Sequence, residues 1–455
     1  MANCKTLPTS GEIGAAYEQA FENLSEDLFG TVEGRREFIS SALNYLKDDC
    51  AVVPSQQSLQ MIVKELISND TDLYEGAMEF EANKTETQGF VTEEWNKCAE
   101  TFVVHITRNH GNVEQKLSEL IPEDMIPLIK NLKLSGRVYS DDFNFIKKIN
   151  NLVRLDLKDA HIFNPDAELS RQHDTIPKNA LAYTNIATVI LPTTTKCIER
   201  AAFEKCEQLK AIKIPEGVET IESFAFQFTG LTAVTVPNSV TKLGSYVFAS
   251  SFNLLSANMG NGLKTTGRFT FCKCANLQNI RLGDEVELID FGTFDSCLQL
   301  RYFEFPNKVY RICNSAFMSC ERLTLFPFSF PSSLECIGEY CFNGCSQLKS
   351  IYIGDNIQTV GRQSFGKCDN LETVIISENL QWIEFNTFAE CKKLREIYCR
   401  SKTPPTILRE KFYGSRRKSL TLYVPIGCKE VYQKAPGWEH FCLSLIHISE
   451  PTRLG

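Results

Sequence analysis

The side chains most able to do chemistry in this sequence are its thiols: 18 cysteines stand among 455 residues, beside only 6 histidines. Such a set could form a disulfide framework, a thiolate metal centre or a catalytic nucleophile. A structural zinc site needs four convergent ligands. The densest groups, Cys272-x-Cys274 and Cys336 with Cys341 and Cys345, do not supply four at ligand spacing. Cys274 and Cys345 also belong to a series, Cys206, Cys274, Cys297, Cys320, Cys345, Cys368 and Cys391, whose place is taken in two further repeats by Thr229 and Ser251. A position that Thr and Ser fill as well as Cys is a small, semi-polar core slot, in which a thiol behaves as a small hydrophobe. On stacked coils such residues would lie about 4.8 Å apart at Cα, within disulfide reach, but parallel side chains point the same way and do not bridge. His105 and His110, five residues apart, share no helix face. No nucleophile elbow, phosphate loop or paired-carboxylate pattern occurs in a supporting context. The expectation is a chain with no catalytic residue, no metal and no cofactor.

What sets the thiols in series is a repeat. Phe203, Phe226, Phe248, Phe271, Phe294, Phe317, Phe342, Phe365 and Phe388 follow one another at gaps of 23, 22, 23, 23, 23, 25, 23 and 23 residues. A fixed period in that range marks a solenoid. Each Cys of the series stands three residues after a Phe, and a Leu stands six after it in eight of the nine repeats. An aliphatic residue precedes the Phe by five in eight repeats, among them Ile198, Ile221, Ile289 and Ile383. Apolar pairs follow at nine and eleven, such as Ile212/Ile214, Ile351/Ile353 and Val374/Ile376. Their alternation is that of a short half-buried strand. Each coil is therefore expected to add one parallel strand to a growing sheet, while Phe, Cys and Leu point into the core. No coil can bury its apolar face alone, so stability comes from neighbours.

The consensus, carried by segments such as IPEGVETIESFAF and IGEYCFNGCSQLKSIYIGDNI, resembles the BspA-like leucine-rich repeats of bacterial surface proteins. LKLSG (Leu132 to Gly136) and LVRLDLKDAHI (Leu152 to Ile162) look like opening coils, and IPKNALAYTNIATVILP (Ile176 to Pro192) like a degenerate coil with Ala180 in the place of Phe. The segment 400–442 is similar to the closing coil of that family. The resemblance implies a leucine-rich repeat solenoid, a parallel sheet of stacked coils, over residues 126–442.

Before it, helical periodicity runs through Ile13 to Leu28, Phe38 to Leu46, Leu59 to Ile67, and Trp95, Cys98, Ala99, Phe102, Val103 and Ile106. These stripes predict a small all-α N-terminal domain over 1–125, of no recognised family. After the solenoid, LSLIHISEPTRLG (Leu443 to Gly455) resembles a translated adapter from DNA library preparation and reads as a non-native tail. The start, MANCKTLPTSGEIG, has neither the basic nor the apolar region of a secretion signal, and nothing approaches a membrane span of about 20 apolar residues. The resemblance nevertheless implies a surface or secreted location. A cytoplasmic member of the family, a start placed too late, or a fragment lacking its leader would each reconcile the two.

A net charge of −8 and a pI near 5.5 argue against nucleic-acid binding. The outward strand positions begin polar, with Lys213, Asn258 and Arg281, and end with Tyr352, Ile375 and Tyr398, joined by Tyr302 on an earlier strand. Tyr302, Tyr352, Ile375 and Tyr398 are the candidate ligand-binding residues, suited to an extended polypeptide or a glycan. Two functions from different classes follow. One, implied by the resemblance, is a non-enzymatic binding protein of the cell surface engaged in adhesion or in contact with a host or neighbouring cell. The other is an intracellular protein-protein interaction scaffold.

Overall fold

A computed structural model describes residues 101–106, 116–164, 173–324, 330–407, 420–439 and 441–446. The chain divides into two compact units, Met1–Val104 with Leu128–Lys133, and His105–Pro127 with Leu134–Gly455. In the first unit the described chain is extended at 101–104 and 131–133. The helical stripes between Ile13 and Ile67 lie outside the described residues, as do Trp95, Cys98 and Ala99. Phe102, Val103 and Ile106 correct the helical reading, because they belong to a β-strand, Thr101–Ile106. Its sequence, TFVVHI, is β-branched and aromatic almost throughout, which favours a pleated, half-buried surface over a helix. An all-α region over 1–125 is therefore not what the described residues form.

The second unit is the solenoid, and many of its coils contribute two strands to it. One series follows the Phe by seven to eleven residues and continues in two strands past the last ladder Phe. It forms a three-stranded parallel sheet from Ala233–Thr235, Ser256–Asn258 and Asn279–Arg281, and a five-stranded one from Ser350–Ile353, Thr373–Ile376, Glu396–Cys399, Thr421–Pro425 and Cys442–Ile446. The second series consists of two-residue strands around the aliphatic residue that precedes the Phe. They include Cys197–Ile198 and Thr220–Ile221 in one sheet, and Arg311–Ile312, Cys336–Ile337, Thr359–Val360 and Trp382–Ile383 in another. The expectation of one strand per coil is corrected to two. A two-residue strand shows only one inward side chain, so its sequence carries no alternation to read.

The second series is reduced to an isolated parallel bridge, Thr265 to Leu288, where Thr266 replaces the aliphatic residue. That hydroxyl, buried, bonds the Thr293 hydroxyl at 2.8 Å and accepts from the Asp290 N–H at 2.9 Å. Where Phe303 and Phe305 replace the aliphatic pair, the described residues of the first series form an isolated bridge between Tyr302 and Thr324.

Between the two strands the chain turns around the Phe. All nine ladder Phe side chains are 0% exposed. Their rings stack in order at 5.1 to 5.8 Å between centroids, with interplanar angles of 1 to 25°. The residues two before and two after the Phe have positive φ in most coils, for example Ala201 (55°) and Lys205 (57°), or Ser315 and Ser319 (both 58°). Left-handed backbone costs a non-glycine residue roughly 1 kcal/mol or more. Hydrogen bonds to the next coil offset it: the N–H groups of Ala201, Phe203 and Lys205 donate to the carbonyls of Ser223, Ala225 and Gln227 at 3.0, 2.8 and 2.8 Å. The same geometry corrects the alignment of the degenerate coil. Asn179 and Tyr183 have positive φ and flank Leu181, whose N–H donates to the Ala202 carbonyl at 2.8 Å. Leu181, and not Ala180, stands in the Phe position.

The thiol slot has a specific partner. The S–H of Cys274, Cys297, Cys320, Cys345, Cys368 and Cys391 donates to the backbone carbonyl of the Phe one coil back, at 3.0 to 3.3 Å. Cys206 donates to Leu181 in the same way. Ser251 donates to the Phe226 carbonyl at 3.2 Å, while Thr229 caps the Phe of its own coil at 3.0 Å. A small donor is needed there and a large side chain has no room, so Cys, Ser and Thr interchange.

The end of the solenoid is closed by a helix, Lys429–Lys434, and the turn after it. Tyr432 and Trp438 are 0% exposed. The Tyr432 hydroxyl donates to the Ser401 carbonyl at 2.8 Å, and the Trp438 indole N–H to the Pro405 carbonyl at 2.8 Å. The strand Cys442–Ile446 then pairs in parallel with Thr421–Pro425, so Leu443 to Ile446 of the adapter-like tail are backbone-paired.

Candidate binding surface

Parallel pairing in register determines which outward side chains meet. Tyr352 stands opposite Ile375, Ile375 opposite Tyr398, Tyr398 opposite Tyr423 and Tyr423 opposite Ser444. Inward neighbours such as Ile351, Val374, Ile397 and Leu422 are buried, which leaves the outward row half-buried on the face of the five-stranded sheet. Three of the four expected residues are thus brought together. Tyr302 is not: it is 59% exposed, sits on the isolated bridge two coils earlier, and occupies the position eight rather than ten after its Phe. On the earlier sheet the equivalent Thr235, Asn258 and Arg281 are exposed and polar.

Two members of the surface escape a reading by repeat position. Tyr423 lies in the closing coil, beyond the last ladder Phe, and its ring stacks on Tyr398 at 4.4 Å and 6°. The alternation in LTLYVP (Leu420 to Pro425) was the signal that could have placed it. Arg400 follows Tyr398 by two on the same outward face, and its guanidinium reaches across the intervening coil to lie 5.6 Å from the centre of the Tyr352 ring.

The phenols of Tyr352 and Tyr398 are polar rims and stay neutral at physiological pH. The Tyr352 hydroxyl donates to Asp355 Oδ1 at 2.7 Å. Its pKa is pushed up to about 12, first by desolvation and then by the hydrogen bond to Asp355 and that carboxylate's charge. The Tyr398 hydroxyl donates to Glu396 Oε2 at 3.3 Å. Desolvation, followed by the charge of Glu396, raises its pKa to about 12 as well. Such a surface can accept hydrogen bonds at phenol oxygens, make apolar contact at ring edges and at Ile375, and offer a cation at Arg400.

The thiols offer little chemistry by comparison. Burial pushes Cys206 up to about 11 and Cys274 up to about 12, and holds Cys297, Cys345 and Cys368 well above their ordinary value. A protonated buried thiol is neither a nucleophile nor a metal ligand. Among the described residues no group of three or more His, Cys, Asp or Glu could hold a metal ion, and no helix is long and apolar enough to cross a membrane.

Comparison with known proteins agrees with the repeat. A family profile described as a BspA type leucine-rich repeat region matches in six copies, over residues 174–300 and 325–435. Among solved structures, a leucine-rich repeat protein from Bacteroides ovatus is similar at 16% identity, covering 76% of this chain and 92% of its own, with a TM-score of 0.44. The pneumococcal vaccine antigen PcpA matches at 16% identity over 77% and 89%, with a TM-score of 0.37. A leucine-rich cell surface protein from Faecalibacterium prausnitzii matches at 19% identity over 78% and 89%, with a TM-score of 0.33. No curated protein sequence matches the chain.

Proposed function

Because this chain belongs to the BspA-type leucine-rich repeat proteins, we infer that it is a non-enzymatic binding protein, displayed at the cell surface or secreted, that docks a macromolecule of a host or neighbouring cell. Leucine-rich repeat proteins bind proteins in general, and a stack of coils offers a long surface in place of an enclosed pocket. The observation that carries the reading is the row Tyr352, Ile375, Tyr398 and Tyr423. Its side chains do no core work, yet they are more apolar than the equivalent positions of the earlier sheet. Exposed apolar clusters mark interaction sites, and a few aromatic anchors carry most of the affinity.

The test changes Tyr352 and Ile375 to Ser together, confirms an unchanged melting curve, and measures retention on immobilised matrix proteins, mucin glycans and intact cells against a Lys213→Ser control. The double variant should lose retention and the control keep it. Equal retention by both removes the row from consideration.

A second reading, the intracellular scaffold, is favoured by the exposed Cys442 and the part-exposed Cys336 and Cys428, which are unbridged. Free surface thiols suit a reducing compartment. Labelling of intact cells with an impermeant reagent separates the two, since only a displayed protein is labelled before lysis.

A further inference from the structure

Arg400 is the unusual member of the surface. Its guanidinium lies half-buried across the sheet face, against the Tyr352 ring, and among the described residues it has no hydrogen bond or ion pair. Five N–H donors in a planar fork are thereby presented beside the apolar row. The chain as a whole is acidic, at −8, whereas this cation stands beside an apolar row. Asp355 and Glu378 lie close enough to act on the Tyr352 phenol, and Asp355 is already occupied by that hydroxyl.

The rings also discriminate between ligands. A sugar is usually held by an aromatic face. Here Tyr398 and Tyr423 each turn one face to the other at 4.4 Å, and Arg400 lies over one face of Tyr352. What projects outward is ring edges, phenol oxygens and the Ile375 side chain. These sit on strands about 4.8 Å apart and match the alternating side chains of an extended polypeptide better than a pyranose.

We propose that this surface, taken as the binding face inferred above, receives an extended polypeptide segment of a partner protein carrying one acidic side chain, whose carboxylate seats on Arg400 while its apolar neighbours contact Ile375, Tyr398 and Tyr423. Charge complementarity selects the acid. Asp355 and Glu378 repel a second one, so the segment is a single Asp or Glu among apolar residues and not an acidic run.

The test displays a random dodecapeptide library and selects it on the immobilised full chain. Recovered sequences should share one Asp or Glu flanked by apolar residues. A synthetic peptide of that sequence should bind roughly 10- to 100-fold more weakly to Arg400→Gln, the loss expected for a hydrogen-bonded charge. Changing the peptide's acid to its amide should cost a similar factor, and the two losses should not add. Arg400→Lys keeps a charge without the fork and should recover part of the affinity. It also serves as the readout should Arg400→Gln fold poorly.

Peptides without an acidic preference, undiminished binding by Arg400→Gln, or recovery of no sequence above background each overturns the proposal. If Ile375→Ser with Tyr398→Ser abolishes peptide binding while Arg400→Gln does not, the binding face stands and the acid contact falls. Peptide binding indifferent to both refutes both. Arg400-dependent retention of sialylated or uronate glycans, with no peptide selected, overturns the polypeptide occupant.

Discussion

Replacing Phe317 by Ala probes the stacked core most directly. The ring is fully buried and stacks on Phe294 at 5.1 Å and on Phe342 at 5.2 Å, with Phe303 and Phe305 against its edges at 4.7 and 5.8 Å. Truncating a buried Phe to Ala costs about 3–5 kcal/mol, according to how far the surroundings collapse into the space. Here collapse is restricted. The Ser315, Phe317 and Ser319 N–H groups donate to the carbonyls of Glu339, Cys341 and Asn343 at 2.8, 2.8 and 2.7 Å, and these bonds hold the coils apart. The upper half of the range applies, about 4–5 kcal/mol, because the truncation strips a packed ring from the faces or edges of all four aromatic neighbours at once. For a large domain that corresponds to a fall in Tm of roughly 8–20 °C. Thermal and urea melts followed by circular dichroism measure it, with an unchanged urea slope as evidence that the denatured state is unaltered. Because a solenoid is held by nearest-neighbour interfaces, hydrogen exchange should accelerate first in the coils of Phe294, Phe317 and Phe342. An Ala variant that melts with its parent refutes the stacked core. Exchange accelerated equally in all coils refutes the nearest-neighbour account.

Further outcomes follow from the same geometry. The buried thiols of Cys206 and Cys274 stay protonated in the folded chain where the unfolded chain would ionise. Their contribution is therefore intact below about pH 9 and erodes by about 1.4 kcal/mol per pH unit per thiol above it, up to about 11 for Cys206 and about 12 for Cys274. Urea melts at pH 8 and 10 should show the loss, Cys274→Ser should shrink it, and a stability independent of pH over that span would contradict it. Cys320→Ser should be mild at pH 7, since Ser251 makes the equivalent bond at 3.2 Å. Trp438→Ala, which removes the indole bond to Pro405 and a fully buried ring, should cost about 3–5 kcal/mol and open the last coils to exchange. Unchanged protection there would show that the closing segment does not cap the stack.

The period, the Phe stack and the thiol slot were legible from residue order because each recurs at one spacing, and a side chain that recurs on stacked coils meets its own copy. The solenoid followed from that alone, whereas the all-α N-terminal domain expected beside it is not supported. The polar-to-apolar drift of the outward positions was legible for the same reason, and it located Tyr352, Ile375 and Tyr398. Periodicity misled where a local pattern was ambiguous. Phe102, Val103 and Ile106 satisfy a helical stripe, but the β-branched and aromatic run around them forms a strand. What the order of residues left open depended on contacts between coils. The second strand series is held by partners in the next coil and offers one inward residue to read. Leu181 is recognised as a Phe equivalent by its bond to Ala202. Tyr302 shares a face with Tyr352 in the repeat, yet among the described residues it sits on an isolated bridge and not in the five-stranded sheet. Tyr423 and Arg400 join the row because parallel register and a long side chain carry them across coils. Repetition in sequence decides what faces inward. Backbone pairing between residues some 23 apart decides which outward side chains become neighbours, and only the folded stack holds that information.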